Sequence, residues 1–243
     1  MDMHLAITNK DIYKEKERGE RRINNLAHIL LEKEVINLTY YRINETFFDT
    51  WSEESAYVLG YLFADASIYR GDGSRYEIII SASRLETIET VKELMGAEHP
   101  IRSKGPSSYQ MRIGSKALIE VLEDFGLTEN KTANLTYPEI PLEYERHFIR
   151  GYFDGKGSFM IESGRRIVSN FSGACYTFME RLRDRLVTHG LSLATIHQYG
   201  VGDSSNQLRY YVRDTRRLAH LIYDEARVYS SEQRARYEGG YRS

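Results

Sequence analysis

One segment of the chain occurs twice. Residues 57–68 (YVLGYLFADASI) and 148–159 (FIRGYFDGKGSF) each begin with an aromatic residue and continue through Gly-Tyr and a hydrophobic residue into small residues and a serine. Gly60 and Gly151 occupy matching places, 91 positions apart (60 to 151). A repeat at a fixed interval indicates that one supersecondary unit is used twice. The chain is therefore expected to fold as two equivalent halves.

The segments that follow each copy also correspond. A strand-like stretch, a helical stretch, a hairpin-like stretch and a second helical stretch follow both times, as indicated by period-two alternation and by i, i+3, i+4 apolar spacing. We therefore predict an α+β fold of two αββαββα halves. Pro138 and Pro141 separate the halves, because proline breaks regular structure. The predicted boundaries are a helical N-terminal extension over 1–50, a first half over 51–130, a linker over 131–146 and a second half over 147–243.

Composition excludes several classes of protein. Cys175 is the only cysteine, which rules out an internal disulfide and a multi-cysteine zinc site. No apolar run approaches the roughly 20 residues that span a bilayer, and the N-terminus lacks a signal-peptide pattern. We therefore expect a cytoplasmic protein without a membrane partner. The net charge of -2 does not by itself indicate nucleic-acid binding, so the distribution of charge matters more than its sum.

Small residues lie four positions apart in both copies of the repeated segment. Gly60 and Ala64 form a smooth stripe on the first helix, and Gly151 and Gly155 form one on the second. From spacing alone, each stripe could pack on its own sheet, or the two could pack on each other. The second arrangement uses both copies at once and brings the two C-terminal tips together, with Asp65 beside Lys156.

With its repeated motif and flanking segments, the sequence resembles a known family, the LAGLIDADG homing endonucleases of the two-motif, single-chain type. LGYLFADAS and IRGYFDGKG resemble the paired motifs, and NKTANLTYPEIPLEYERHFIRGYFDG resembles the link into the second motif helix. The flanks FFDTWSEESAYVLGYL and LIYDEARVYSSEQRARYE are similar too, so the resemblance covers about residues 43–238. It implies two halves related by a pseudo-twofold axis, with central motif helices and a saddle of sheets that lies in the DNA major groove.

The resemblance also implies a mechanism, from which this chain departs. The family places one acidic residue at each helix tip, and the pair binds divalent metal, usually Mg²⁺, to cut both strands. Asp65 matches the first acid and would be the ligand for any metal, but Lys156 occupies the position of the second. An ammonium has no lone pair and cannot ligate Mg²⁺. Asp154 is a weak candidate substitute, because a turn of about 100° per residue points it some 200° away from the tip.

The expected DNA-contacting residues lie on two matched hairpins and the strands beside them. Strand alternation puts Gln110 and Arg112 on one face, with Arg209 and Tyr211 on the equivalent face of the second half. These residue types read G and A edges or hold phosphates. The other candidates are Tyr69, Arg70, Arg75, Glu77, Arg102 and Lys104 in the first half and Arg165, Arg166, Ser169, Asn170, Gln198, Tyr199 and Arg213 in the second. Lys131 and Arg150 lie near the motifs, and the resemblance implies that a lysine there can assist the reactive phosphate; we instead interpret Lys131 as a surface charge and Arg150 as a phosphate clamp.

Three functions agree with these features. The first is sequence-specific binding of double-stranded DNA with cleavage lost through Lys156, as in a domesticated endonuclease of a phage or other mobile element that acts as a transcriptional repressor. The second is an active endonuclease, or a nickase that keeps one metal on Asp65; this function requires Mg²⁺, whereas the first requires no cofactor. The third is an intron RNA maturase. We favour the first, in a monomeric, nucleoid-associated protein of a bacterial or phage-infected cell.

Overall fold

Two copies of one arrangement of helices and strands make up most of the described chain. The computed structural model describes residues 41–71, 75–162, 166–200 and 205–242, with side chains as far as residue 239. The first half contains α1 (Glu53–Asp65), β1 (Ala66–Arg70), β2 (Tyr76–Ala82), α2 (Leu85–Leu94), β3 (Ile101–Gly105), β4 (Ser108–Ile113) and α3 (Lys116–Asp124). A short helix, α4 (Lys131–Asn134), follows. The first predicted αββαββα half is therefore confirmed.

The second half repeats the order. It contains α5 (Leu142–Lys156), β5 (Gly157–Glu162), β6 (Arg166–Gly173), α6 (Tyr176–Thr188), β7 (Ile196–Tyr199), β8 (Ser205–Tyr210) and α7 (Val212–Tyr223), and α8 (Ser231–Arg242) comes after it. Helix α5 begins at Leu142, directly after Pro141, and so takes in residues that were assigned to the linker. Most of the predicted N-terminal extension, residues 1–40, lies outside the described residues, and the chain divides between Tyr41 and Arg42.

Each half contains a four-stranded antiparallel sheet in the described part of the chain. The strand orders are β1-β2-β4-β3 and β5-β6-β8-β7, so the two sheets have the same topology. Successive side chains point to opposite faces of a strand. In the first sheet Ile80 is paired with Ala66 on one side and Met111 on the other, and all three are buried. Helices α2 and α3 pack on this face, while the opposite, open face carries polar side chains.

Helices α1 and α5 lie at the centre of one continuous core. Nearly all of α1 is buried, and its Phe63 ring meets the Phe148 ring of α5 at 5.4 Å. The buried residues of both halves belong to a single cluster. Because neither half can bury its central helix without the other, the two halves are expected to fold as one cooperative unit.

The central helices start with different caps and end in the same way. Ser52 and Ser55 form a reciprocal capping box at the start of α1, with backbone-to-hydroxyl distances of 2.9 and 3.0 Å. At the other end α1 passes from Asp65 directly into β1, and α5 passes from Lys156 directly into β5. The chain becomes extended at Gly157 and enters the second sheet at once.

Candidate nucleic-acid interface

The two central helices approach to backbone contact at their glycines. A Cβ atom on Gly60 would overlap the carbonyl oxygen of Phe148, and one on Gly151 would overlap the carbonyl oxygen of Tyr57. The relation is reciprocal, as expected of two equivalent helices. One turn further on, a Cβ atom on Gly155 would lie 2.5 Å from the Cβ of Ala64. The small-residue stripes therefore pack on each other, which is the arrangement predicted from the repeat.

This contact brings the two helix tips together. Lys156 Nζ lies 2.7 Å from Asp65 Oδ1, as the sequence predicted. The Asp65 side chain is 18% exposed and the Lys156 side chain 43%, so the carboxylate is sheltered while the ammonium reaches toward solvent. Burial raises the pKa of Asp65, and the charge and hydrogen bond of Lys156 oppose that rise. A cation suits the C-terminus of α5, whereas the anion at the C-terminus of α1 needs a partner.

A second lysine lies close to the same carboxylate. Lys131, the first residue of α4, donates to the carbonyl oxygen of Ala64 at 2.8 Å and so caps the last turn of α1. The pKa of Lys131 is lowered to about 8, mainly by burial; the charge of Asp65 opposes the shift and that of Lys156 adds to it. The interpretation of Lys131 as a surface charge was therefore wrong. Lys131 begins a short helix in the region assigned to the linker, so no periodic spacing connects it with Asp65.

The carboxylate of Asp154 accepts buried hydrogen bonds away from the helix tips. Its Oδ1 accepts a hydrogen bond from the Tyr223 hydroxyl at 2.8 Å, and its Oδ2 accepts from the Tyr57 hydroxyl at 3.0 Å and from the backbone N–H of Ser230 at 2.6 Å. Burial raises its pKa to about 6, against the effect of these hydrogen bonds. The suggested role of Asp154 as a substitute acid at the tip does not fit this geometry. It fastens the segment between α7 and α8 to the central helices.

Arg150 also has a structural role. It is fully buried and donates to Glu53 Oε1 at 2.8 Å and to the carbonyl oxygens of Val228 and Ile222 at 2.6 and 3.1 Å. The interpretation as a phosphate clamp was wrong, because its fork of N–H donors is already paired inside the protein. Glu53, which sequence reasoning did not single out, also accepts from the backbone N–H of Arg227 at 2.9 Å. Together these bonds join the start of α1 to the end of the second half.

The open face of the first sheet carries a connected set of polar side chains. Arg112 donates to Glu77 Oε2 at 2.8 Å and to Gln110 Oε1 at 3.0 Å. Arg75 donates to the other oxygen of Glu77 at 3.1 Å and lies over the ring of Tyr69. Strand pairing places Tyr69 opposite Glu77. The structure therefore brings these five predicted residues together on one face.

Three other first-half candidates have different surroundings. Arg102 is paired with Gln110 in the register of β3 and β4 and is exposed on the same face, and Lys104 is exposed near the β3–β4 turn. Arg70 is paired with Tyr76, whose face turns toward the helices, and its guanidinium forms an ion pair with Glu123 of α3. The assignment of Arg70 to the DNA-facing side therefore does not fit the sheet.

The second sheet has an open face of similar composition. Asn170 is paired with Arg209, whose guanidinium forms an ion pair with Glu162 and lies over the ring of Tyr211 at 5.8 Å. Tyr199 shares this face through the register of β7 and β8 and is 52% exposed. Arg166, at the start of β6, is also exposed, while Arg165 lies outside the described residues.

Three second-half candidates do not lie on that face. Ser169 is paired with Phe159 and Tyr210 on the buried side, where its Oγ lies 3.1 Å from Thr215 Oγ1. Gln198 is paired with buried Asn206 and donates to its amide oxygen at 3.2 Å. Arg213 belongs to α7 and donates to Ser192 Oγ at 2.7 Å, because β8 has already ended at Tyr210. The sequence had placed Arg213 on the hairpin.

Solved structures of other proteins have the same architecture. I-DmoI in complex with DNA and Mn is 19% identical, with a TM-score of 0.51 over 70% of this chain and 96% of that one. The I-SmaMI LAGLIDADG homing endonuclease bound to cleaved DNA is 14% identical, with a TM-score of 0.52 over 78% and 87%. I-WcaI bound to its DNA recognition sequence is 10% identical, with a TM-score of 0.55 over 79% and 90%.

This chain has the LAGLIDADG homing endonuclease fold. No protein-family model and no curated protein matches the sequence. The likeness to the solved structures therefore lies in the three-dimensional arrangement. The predicted fold is confirmed. None of the described helices of this LAGLIDADG fold combines the length and apolar character that a membrane span requires.

The centre of this LAGLIDADG fold does not suit a divalent metal. Mg²⁺ requires oxygen ligands, and the two tips supply the carboxylate of Asp65 and the ammonium of Lys156. Among the described residues, no group of three or more His, Cys, Asp or Glu side chains is placed to hold a metal ion. A divalent cation at Asp65 would also be repelled by the Lys156 ammonium, which lies 2.7 Å from Oδ1, unless it displaced that ammonium.

Proposed function

We propose that this protein binds a specific double-stranded DNA site and does not cut it efficiently. The observation that carries the proposal is the Asp65–Lys156 ion pair of 2.7 Å at the junction of the two halves. Cleavage of both strands with metal help requires carboxylates that hold cations over the attacking and leaving oxygens. Lys156 contributes a fixed positive charge at one of the two equivalent tips, and the charge of the remaining carboxylate is already compensated.

The two open sheet faces support binding. Each presents arginine, amide and tyrosine side chains on antiparallel strands, and a two-stranded β-ribbon fits the major groove. Arg112 and Gln110 lie on the open face of the first half, and Arg209 and Asn170 lie on that of the second. Arginine recognises guanine and amides recognise adenine through paired hydrogen bonds. The solved structures with this fold include complexes with DNA, one of them with a recognition sequence.

The biological use that follows is repression. A protein that occupies a duplex site without cutting it blocks polymerase or other factors at that site. A reporter gene with the selected site placed over its promoter should lose expression when the protein is supplied. Expression that stays unchanged, with the site occupied in a footprint, would remove repression from the proposal and leave DNA binding intact.

The decisive experiment compares cutting by two versions of the full chain. Duplex sites are selected from a random library and incubated with the protein and Mg²⁺ or Mn²⁺. The unmodified protein should bind and leave both strands intact, whereas Lys156→Asp, which restores an acid at the second tip, should gain cutting. Lys92→Asp, the same change in charge on α2, is the matched control and should gain none.

Other outcomes point to the alternative functions. Double-strand cutting by the unmodified protein would overturn the proposal in favour of an endonuclease, and cutting of one strand would indicate a nickase. Preference for a structured intron RNA over every duplex tested would indicate a maturase. Thermal unfolding of each variant checks that the change at Lys156 has not disrupted the helix pair.

A further inference from the structure

The helix tips open onto a shallow cleft lined by small hydroxyl side chains. The end of β2 and the β3–β4 turn supply four serines beside the ion pair, and the lining includes Ser81, Ser83, Ser107, Ser108, Asp65 and Lys156. All four serines are exposed. Hydroxyl and ammonium groups are donors, and phosphate oxygens accept from both types in protein complexes with nucleic acids. The lining therefore suits an anion with several acceptor oxygens.

The charges at the tips favour an anion as well. Asp65 contributes one formal negative charge, and Lys156 and Lys131 contribute one positive charge each. The bond to Asp65 Oδ1 uses one of the three N–H donors of the Lys156 ammonium, which is 43% exposed. Lys131 is turned inward and caps Ala64. The negative charge of the sheltered Asp65 carboxylate is thus compensated by Lys131 inside the protein, and Lys156 supplies the positive charge at the surface.

A centre with an acid at both tips would behave differently. Two carboxylates facing a DNA backbone repel its phosphates until a divalent cation lies between them. In this chain the cation is part of the protein, because Lys156 stands at the place equivalent to Asp65 in the repeat. The misfit between the tips and a metal ion therefore has a consequence for binding as well as for cleavage.

We infer that Lys156 holds a backbone phosphate of the bound duplex directly in the serine-lined cleft, so that DNA binding needs no divalent metal ion. This inference rests on the proposed function, since the phosphate belongs to the proposed duplex. Lys156 is the primary contact, and the serine hydroxyls of the cleft supply further donors. Asp65 positions the ammonium from behind.

The first test removes the metal. Binding of the selected duplex to the full chain is measured by fluorescence anisotropy in EDTA and in Ca²⁺. The unmodified protein should bind with Kd values that agree within about twofold, because its cation is covalently attached. Lys156→Asp should bind about tenfold more weakly in EDTA and recover in Ca²⁺, which two carboxylates can hold.

The second test removes the phosphate charge. Neutral methylphosphonates replace the phosphates at the centre of the footprint, one at a time. At the contacted position the unmodified protein should lose about tenfold in affinity, as is typical when a charge-assisted hydrogen bond is lost. Lys156→Met should lose nothing further at that position, and Lys156→Arg should behave like the unmodified protein.

In the unmodified duplex, Lys156→Met should lower the slope of log K against log salt by about 0.9. Lys92→Met on α2 is the matched control and should leave both quantities unchanged.

The possible failures are distinguishable. If no duplex is selected, the proposed function fails and the inference fails with it. If a duplex is bound, but methylphosphonates cost the same affinity in Lys156→Met as in the unmodified protein, the inference is overturned and DNA binding stands. A Kd of the unmodified protein that rises more than about fivefold in EDTA would also overturn it, since the built-in cation would then be insufficient.

Discussion

Helices α1 and α5 are alike at the glycines where their backbones touch and different at other buried positions. Gly60 and Gly151 make reciprocal backbone contacts at equivalent positions. At two other equivalent positions of the repeat, α1 has Leu59 and Phe63, whereas α5 has Arg150 and Asp154. Both apolar residues are buried, and so are both charged ones.

The difference shows which constraint acts where. A helix–helix contact at backbone distance admits only small residues on both sides, so the halves remain equivalent there. At positions other than the glycines, the residue type depends on what else surrounds the side chain. Phe63 packs on aromatic rings, whereas Arg150 and Asp154 hold the segment that follows α7. At the tips Asp65 and Lys156 differ in charge, and their ion pair joins the ends of the two helices.

The largest expected effect tests the equivalence of the two contacts. Gly60→Ala and Gly151→Ala should each lower the free energy of unfolding by more than about 4 kcal/mol, because the new Cβ atom overlaps a backbone carbonyl that cannot move alone. Urea unfolding measures the effect. Gly114→Ala is the control, since its Cβ would lie 3.6 Å from the Tyr76 carbonyl oxygen, and it should change the value by no more than about 0.5 kcal/mol. Similar losses in all three variants would contradict the close contact.

The next effect concerns the charged side of α5. Arg150→Met should cost about 3 kcal/mol, because Glu53 loses a buried partner and two carbonyl oxygens lose a donor. Arg146→Met on the same helix loses one hydrogen bond, to the carbonyl oxygen of Asp224, and should cost about 1 kcal/mol. Urea unfolding of the two variants compares a buried arginine that joins several segments with an arginine that makes one surface hydrogen bond. Equal losses of unfolding free energy would mean that Arg150 does not have this structural role.

A smaller effect distinguishes Asp154 by its pH dependence. The pKa of Asp154 is about 6 in the folded protein, above the ordinary value of 3.8, so between those values the folded state keeps a proton that the unfolded chain has released. The contribution of Asp154 to stability therefore falls as the pH rises, by about 1.5 kcal/mol between about pH 4.5 and pH 6. Asp154→Asn should remove this part of the slope. Parallel profiles of unfolding free energy for the two proteins would refute the assignment.

The smallest expected effect compares the two faces of the first sheet. Arg112→Gln should weaken binding to the selected duplex by about fivefold, near 1 kcal/mol, and relax base preference at one position. Arg70→Gln should leave the Kd within about twofold, because its guanidinium is directed toward Glu123 on the helical side. Anisotropy titrations on the selected site and on single-base variants provide both values. A larger loss for Arg70→Gln would reverse the assignment of the faces.

The fold was predictable from local patterns, and so was the pairing of the tips. Period-two and i, i+4 spacing gave both halves, and the offset between Gly60 and Gly151 gave the helix contact and hence the Asp65–Lys156 pair. The failures have physical causes. Ser169 was misplaced because Ile167, Val168 and Ser169 are buried in succession, so alternation along β6 does not identify its face.

The long-range polar contacts could not be predicted in the same way. A charged residue in a sequence is normally exposed, and the burial of Arg150 depends on Glu53, 97 positions earlier. The approach of Lys131 to Ala64 spans 67 positions, which include the rest of the first half. Neither distance leaves a periodic trace in the sequence. Such pairs become visible only once the two halves have been assembled.

The direct passage from helix to strand has one more consequence. With no loop between Asp65 and Ala66 or between Lys156 and Gly157, each sheet is anchored to the helix pair without slack, and the helix pair itself is locked by its glycines. A duplex that meets both sheets has to adopt the curvature that the protein presents. The DNA, and not the protein, would then have to deform. Base steps at the centre of the site that bend easily would be preferred even where the protein makes no contact with the bases.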